Sequence, residues 1–285
     1  MKSIGILGAG PMGLACAYYA QKKGYKITLI EAAPFIGGMA SHFDFSGTSI
    51  EKFYHFICKT DFDTFELLDE LEISDKLVWE NTSMGYFIDG KLYKWGDPFS
   101  LLFFEKFSLI SKFRYGLNAF FTSKRSNFDS LENLSAEEWL QSWIGEKAYN
   151  LVWKKLMDYK FYEHSSSISA AWIATRMKRV GNSRKSIFQE QLGYLEGGSE
   201  TLVNALANKI KDDGGKVIIN SPVTNLMISK EKKILGLEVN NEKLYFDSVI
   251  STIPTPYLDQ ILGETSLDFR SKYKQIENIG VVCVI

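Results

Sequence analysis

Cysteine is scarce in this chain, net charge is close to nil, and no long apolar run is present. The three cysteines, Cys16, Cys58 and Cys283, are odd in number and far apart. Neither a disulfide framework nor a metal site is therefore expected, and a reducing cytoplasmic setting fits. Each is read as a small buried residue. With 33 basic and 34 acidic residues, the formal charge of −1 leaves no footprint for nucleic acid. No window reaches 18 uninterrupted apolar residues, which argues against a spanning helix. A cleaved leader is not expected either. Gly5, Gly8, Gly10 and Pro11 break the apolar run behind Lys2, and cleavage would remove the best motif in the chain.

What is present is an ordinary globular composition, 45% apolar and 24% charged, over 285 residues. That length allows about two domains. Ser3–Leu7 reads as a short buried strand, a helix-like run covers about Leu14 to Lys23, and Lys26–Ile30 reads as a second strand. Between the first strand and the helix lies Gly8-Ala9-Gly10-Pro11-Met12-Gly13, and Glu31 closes the second strand. This is G-x-G-x-x-G in a strand–turn–helix–strand unit with an acid about 20 residues on, the dinucleotide fingerprint. Gly8 permits the tight turn, Gly10 lets a pyrophosphate approach the backbone, and Gly13 lets the helix pack on the sheet. The helix N-terminus offers N–H groups and partial positive charge to phosphate. Pro11 is tolerated in a first turn. Glu31 can accept from ribose hydroxyls and would repel a 2′-phosphate, which argues against NADP.

After Glu31 come Ala32, then Gly37-Gly38-Met39. An acid followed by a Gly-Gly pair resembles the FAD-binding signature of the superfamily that holds amine oxidases, phytoene desaturases and protoporphyrinogen oxidases. UDP-galactopyranose mutase has a similar opening. The resemblance implies that Ala32, Gly37, Gly38 and Met39 lie along the cofactor with Gly8, Gly10, Pro11, Met12, Gly13 and Glu31. Many members carry a basic residue where Met39 stands. The resemblance also carries the stretch from Phe43 to His55 past the flavin ring. Glu51 and His55 would share a face if helical, with a flavin-proximal role, a surface ion pair and a core histidine all open. His42 and His164 are assigned nothing.

The middle of the chain is aromatic. Residues 61 to 73 have amphipathic helix spacing at Phe62, Phe65, Leu68 and Leu71. Tyr86–Tyr93 reads as a hairpin turning at Asp89-Gly90. Pro98 to Phe121 is rich in Phe and Leu among basic residues. Helices lining a substrate cavity or second core are the favoured reading there, with contact at a membrane interface left open. Ser135 and Glu138 suggest a capping box, ahead of an aromatic helical region marked by Trp139, Trp143, Trp153 and Trp172. Arg176, Lys178, Arg179, Arg184 and Lys185 form a basic cluster, expected on a solvated face, with an anionic substrate group as the alternative.

From Gly193 the pattern regularises. A Gly197-Gly198-Ser199 turn leads into a helix over about Glu200 to Asp213. Strands follow at Lys216–Ile219 and Val223–Ile228, then a meander over Ile234–Val239 and Lys243–Phe246 turning at Asn240-Asn241. A buried strand, Val249–Pro254, comes last. This order resembles the superfamily's return to its FAD domain, and it implies that Val223 meets the adenine edge and that Thr252 and Pro254 end a strand near the cofactor. Ile279–Ile285 reads as an apolar strand that simply stops, and the family's later Gly-Asp motif is missing, so a C-terminally truncated member is expected.

The expected fold is α/β: a Rossmann-like FAD-binding domain of the glutathione-reductase type, residues 1–80 and 190–262, with a helical and mixed substrate domain, residues 81–189 and 263–285. The implied function is FAD-dependent oxidation of a small organic molecule that gives up a hydride. No catalytic acid or base is assigned, and no metal. A flavin-dependent sugar-nucleotide mutase, in which the basic cluster would hold a diphosphate, and an inactive dinucleotide-binding fragment are the alternatives.

Overall fold

The computed structural model describes residues 1–262 and 267–284. By internal contacts it divides into two units, the first made of Met1–His55, Phe65–Leu77 and Leu195–Ile285, the second of Phe56–Thr64 and Val78–Tyr194.

In the first unit, the apolar run Ser3–Leu7 becomes β1, flanked on both sides by parallel neighbours. These are β2 (Lys26–Ile30) on one side and β14 (Ser248–Ser251) on the other, and β10 (Lys216–Ile218) pairs with the far side of β2. Strand periodicity sorts the side chains to two faces. Ile4, Ile6, Ile27 and Leu29 meet α1 (Pro11–Lys22) and α9 (Ser199–Asp212) through Leu14, Ala17, Val203 and Leu206. Leu7 and Ile30 pack instead with Leu237 and Val239. Those two belong to a meander of β11 (Val223–Ile228), β12 (Ile234–Val239) and β13 (Glu242–Tyr245). Asn240 and Asn241 both have positive φ at its turn, as a two-residue hairpin turn requires. A short hairpin, β3 (His42–Phe45) with β4 (Thr48–Glu51), and α2 (Phe62–Glu70) complete the first half of the unit. Leu68 of α2 is buried, whereas Phe62 is exposed at the helix start.

The second unit contains β5 (Leu77–Asn81), β8 (Arg184–Ser186) and β9 (Gln189–Leu195) in one sheet and the hairpin β6 (Met84–Ile88) with β7 (Lys91–Trp95). That hairpin turns at Asp89 and Gly90, both with positive φ. Its helices are α3 (Pro98–Phe103), α4 (Leu109–Lys124), α5 (Ala136–Ile144), α6 (Glu146–Tyr149), α7 (Lys155–Phe161) and α8 (Ala170–Gly181). Ser135 and Glu138 form a reciprocal capping box on α5. The core gathers Trp139, Leu140, Ile144 and Met157. Trp95 lies edge-on to Tyr86, Phe104, Phe107 and Tyr115, with centroids 5.0–5.8 Å apart, the geometry that aromatic quadrupoles prefer. The Phe- and Leu-rich stretch thus divides. Phe104 and Phe107 are core, while Leu109, Ile110, Phe113 and Phe120 expose one face of α4.

Three expectations need correction. Residues 277–284 form no strand, and Val281, Val282 and Val284 are exposed: apolar residues alone do not make a strand without a partner edge. Residue 285 lies outside the described residues. The C-terminal segment groups with the first unit rather than with the inserted one. There α10 (Thr255–Ile261) buries Ile261 against the meander core, and α11 (Leu267–Lys274) follows, with Arg270 Nε donating to Asp259 at 2.7 Å. Cys283 is exposed, unlike the buried Cys58.

Candidate functional site

The G-x-G-x-x-G turn is built from backbone in close contact. Gly8 has φ +95°, a conformation that L side chains rarely adopt, and a Cβ at Gly13 would lie 1.8 Å from the Gly8 carbonyl oxygen. Helix α1 begins at Pro11, earlier than the side-chain pattern suggests, and Gly13 is already one of its buried residues, packed on the Gly8 carbonyl. Gly10 is its N-cap, and no side chain caps the helix. The first-turn N–H groups are left to an external acceptor, with the positive end of the helix dipole behind them.

Gly37 and Gly38 come to the same place. The Gly37 N–H donates to the Ala9 carbonyl at 2.8 Å. A Cβ at Gly38 would stand 3.1 Å from the Gly10 Cα, and a Cβ at Gly10 would meet nothing nearer than the Gly38 Cα at 3.9 Å. Two glycine backbones thus face each other with space left beside Gly10. Met12 and Met39, expected along the cofactor, expose 72% and 55% of their surface here, so side-chain packing does not commit them elsewhere. Pro11 and Ala32 are also exposed.

Glu31 is held at the end of β2. Its carboxylate accepts from the Ala9 N–H at 2.7 Å and the Ala33 N–H at 2.8 Å. One oxygen is used for each, which leaves lone pairs free. The backbone of Glu31 also accepts from Ser221 N–H, and Asn220 N–H donates to Ala33. The chain entering β11 is tied to the acid in this way, and Val223 begins its strand two residues later. Thr252, just beyond β14, donates its hydroxyl to the Leu7 carbonyl at 2.7 Å and contacts the Gly8 carbonyl at 3.3 Å. Pro254 is the N-cap residue of α10. The two distant segments of sequence therefore converge on the C-terminal ends of β1 and β2, where ligands of open parallel sheets bind.

Glu51 and His55 do meet, but not on a helix. Glu51 ends β4, and its carboxylate accepts the His55 N–H at 3.0 Å and the Ser199 N–H at 2.6 Å. Burial pushes this carboxyl up, yet the donors from Ser199 and His55 outweigh it and hold Glu51 below its ordinary value. His42, paired across the hairpin from Glu51, brings Nε2 to 3.8 Å from the same carboxylate. Only the spacing of Glu51 and His55 signals this group. Ser199 lies 148 residues away and His42 pairs through hairpin register, so neither carried a local sign.

The basic cluster divides: Lys178, Arg179 and Arg184 are tied into internal bonds, and Arg176 and Lys185 stay on an exposed face. Arg179 forms a bidentate pair with Asp61, Nε at 2.8 Å and Nη2 at 2.6 Å, and holds that carboxyl below its ordinary value against the upward push of burial. Lys178 donates to the Arg125 carbonyl, Arg184 to the Gly96 carbonyl, and Arg176 stacks on Trp172. Arg176 on α8 and Lys185 on β8 are the two of the five that are exposed. A diphosphate reading loses three of its five cations to internal bonds.

Residues 13–285 match the profile of flavin containing amine oxidoreductases. The chain is similar to 15-cis-phytoene desaturase of Synechococcus elongatus, 24% identical, with 92% of this chain and 60% of that protein covered. Arabidopsis thaliana 15-cis-phytoene desaturase matches at 22% over 98% of this chain and 53% of its own length. An oxidoreductase of known structure from Methanosarcina mazei superposes with a TM-score of 0.73 at 18% identity, covering 95% of this chain and 64% of that one. Putrescine oxidase bound to putrescine gives 0.65 at 18%, over 91% and 60%. The chain spans between half and two thirds of the length of these relatives. The fold is the Rossmann-like one of the amine oxidases, and the chain belongs to the flavin containing amine oxidoreductase family.

Proposed function

We propose that the first unit binds FAD and that the whole protein is an FAD-dependent oxidoreductase of a small organic substrate. The observation that carries this reading is the open backbone cradle at Gly10 and Gly38, beside an uncapped helix N-terminus and a fixed Glu31. The cradle and α1 suit a pyrophosphate, which needs close backbone approach and N–H donors. Glu31 suits the adenosine ribose, and Val223, close behind the tethered Asn220 and Ser221, suits the adenine edge. Gly37, Gly38, Ala32, Met12 and Met39 would line the remainder, with Thr252 and Pro254 supporting the turn. A bound flavin supplies acceptance of a hydride equivalent from the substrate, and the chain supplies binding, orientation and exclusion of water. No described residue is assigned as acid or base. The test is to release and identify the nucleotide from purified protein by mass and spectrum. FAD supports the reading, and NADP would overturn it, since Glu31 opposes a 2′-phosphate.

For partners, the outward face of α4 is the relevant observation. Leu109, Ile110 and Phe113 are 68–78% exposed, with Lys106 and Lys112 nearby in sequence. No helix among the described residues is long and apolar enough to cross a membrane. We read this face as peripheral contact with lipid. Flotation with anionic vesicles that is lost in Phe113→Glu supports it, and unchanged flotation refutes it.

A further inference from the structure

Within the first unit a groove of about 300 Å³ runs between α9, β10 and the segment that carries Phe35 to His42. It shares no residue with the nucleotide cradle. Gly8 to Gly13, Glu31, Gly37, Gly38, Val223 and Thr252 are all absent from its walls. Its size is that of a small-molecule site.

The walls are mainly apolar, with Ile36, Val203, Val217 and Ile219 contributing. Two polar residues in them are unusual. Ser41 is 4% exposed, the His42 side chain is 4% exposed, and neither the serine hydroxyl nor either imidazole nitrogen makes a hydrogen bond. His42 Nε2 has the Glu51 carboxylate 3.8 Å away. That leaves the Ser41 hydroxyl and His42 Nδ1 as buried polar atoms without a partner, rare in folded proteins and asking for an external one. The Nε2 side of the His42 ring lies against Gly198, where an added Cβ would fall 2.7 Å from it.

Charge favours an anion. Lys211 lines the groove, and among the described residues it makes no ion pair. Lys52 sits 3.8 Å above the ring of Phe35, which forms another part of the wall. The one acid, Glu200, accepts from the Ser49 hydroxyl at 2.8 Å. Glu200 and Lys211 stand eleven residues apart on α9, about 16 Å at the helical rise, so the cavity is long rather than round. The remaining polar wall residue, Asn204, is exposed on α9.

We propose that this groove is a second binding site, taking an elongated organic anion: an apolar chain along Ile36, Val203 and Val217, with its carboxylate at Lys211. Phe35 and Ile36 run directly into Gly37, which bonds to Ala9. Occupancy therefore bears on the nucleotide cradle, and this second clause alone rests on the FAD reading above.

Decanoate is the probe, titrated calorimetrically into the 285-residue chain, with decanamide as the uncharged comparison. Saturable one-to-one binding of decanoate is expected. Asn204→Trp, which adds bulk to the wall from an exposed helix position, should abolish it. Lys211→Glu should weaken decanoate at least tenfold and change decanamide less than twofold. Circular dichroism and melting confirm that both variants fold. No saturable binding, or binding unchanged in both variants, overturns the site. FAD titrated with and without decanoate tests the coupling. A chain that binds decanoate but no FAD would refute the flavin reading and keep this one.

Discussion

The hydroxyl of Thr252 donates to the Leu7 carbonyl at 2.7 Å, and a Cβ at Gly8 would lie 2.8 Å from the Thr252 hydroxyl oxygen. A residue just beyond the last strand of the sheet is thus the wall against which the first turn is formed. Thr252→Val keeps the shape and loses the bond. It should cost about 1 kcal/mol in urea unfolding, with Thr252→Ser close to wild type. Gly8→Ala should cost more than about 2 kcal/mol, because it adds the clash to a left-handed φ.

Glu31 has a structural task as well as the proposed one. Replacing it with Gln puts an amide NH₂ where one of the two N–H donors now finds an oxygen. The orphaned donor should cost about 1–3 kcal/mol. FAD affinity should fall further than this loss of stability alone explains, and fluorescence titration of the folded variant measures it.

Most of the first unit was legible in the sequence, because its signals are local. Apolar runs bounded by glycines gave β1, β2 and the meander, and Asp89-Gly90 and Asn240-Asn241 gave their hairpins. The start of α1 was misplaced since Gly13 adds no apolar side chain to the periodic pattern. Glu51 and His55 were noticed, but their partners Ser199 and His42 were not, since register and long-range convergence leave no periodicity. Arg179 looked like surface charge because its acid, Asp61, lies 118 residues earlier. The segment 279–285 looked like a strand on composition alone, which says nothing about an available edge.

The Asp61–Arg179 pair makes stability depend on acid. Asp61 is held below its ordinary value in the folded state. Its contribution is complete above the unfolded value, about pH 3.9, and is lost as pH falls through the lower folded one. Melting temperature measured from pH 6 to pH 2 should show this acid arm. Asp61→Asn should flatten it and lower stability at neutral pH by about 1.5–3 kcal/mol, the range for hydrogen bonds to charged groups.

Leu140 is fully buried in the core of the second unit. Leu140→Ala should destabilise by about 2–5 kcal/mol, followed by chemical denaturation.

The most direct test is the absorbance spectrum of the purified chain after incubation with FAD and removal of the excess, with Gly10→Val alongside. Gly10 has an ordinary φ of −72° and open space around its missing Cβ, so the variant should melt with wild type. The account predicts a yellow wild type and a folded, colourless Gly10→Val. A wild type that stays colourless, or a variant that keeps its flavin, would contradict it.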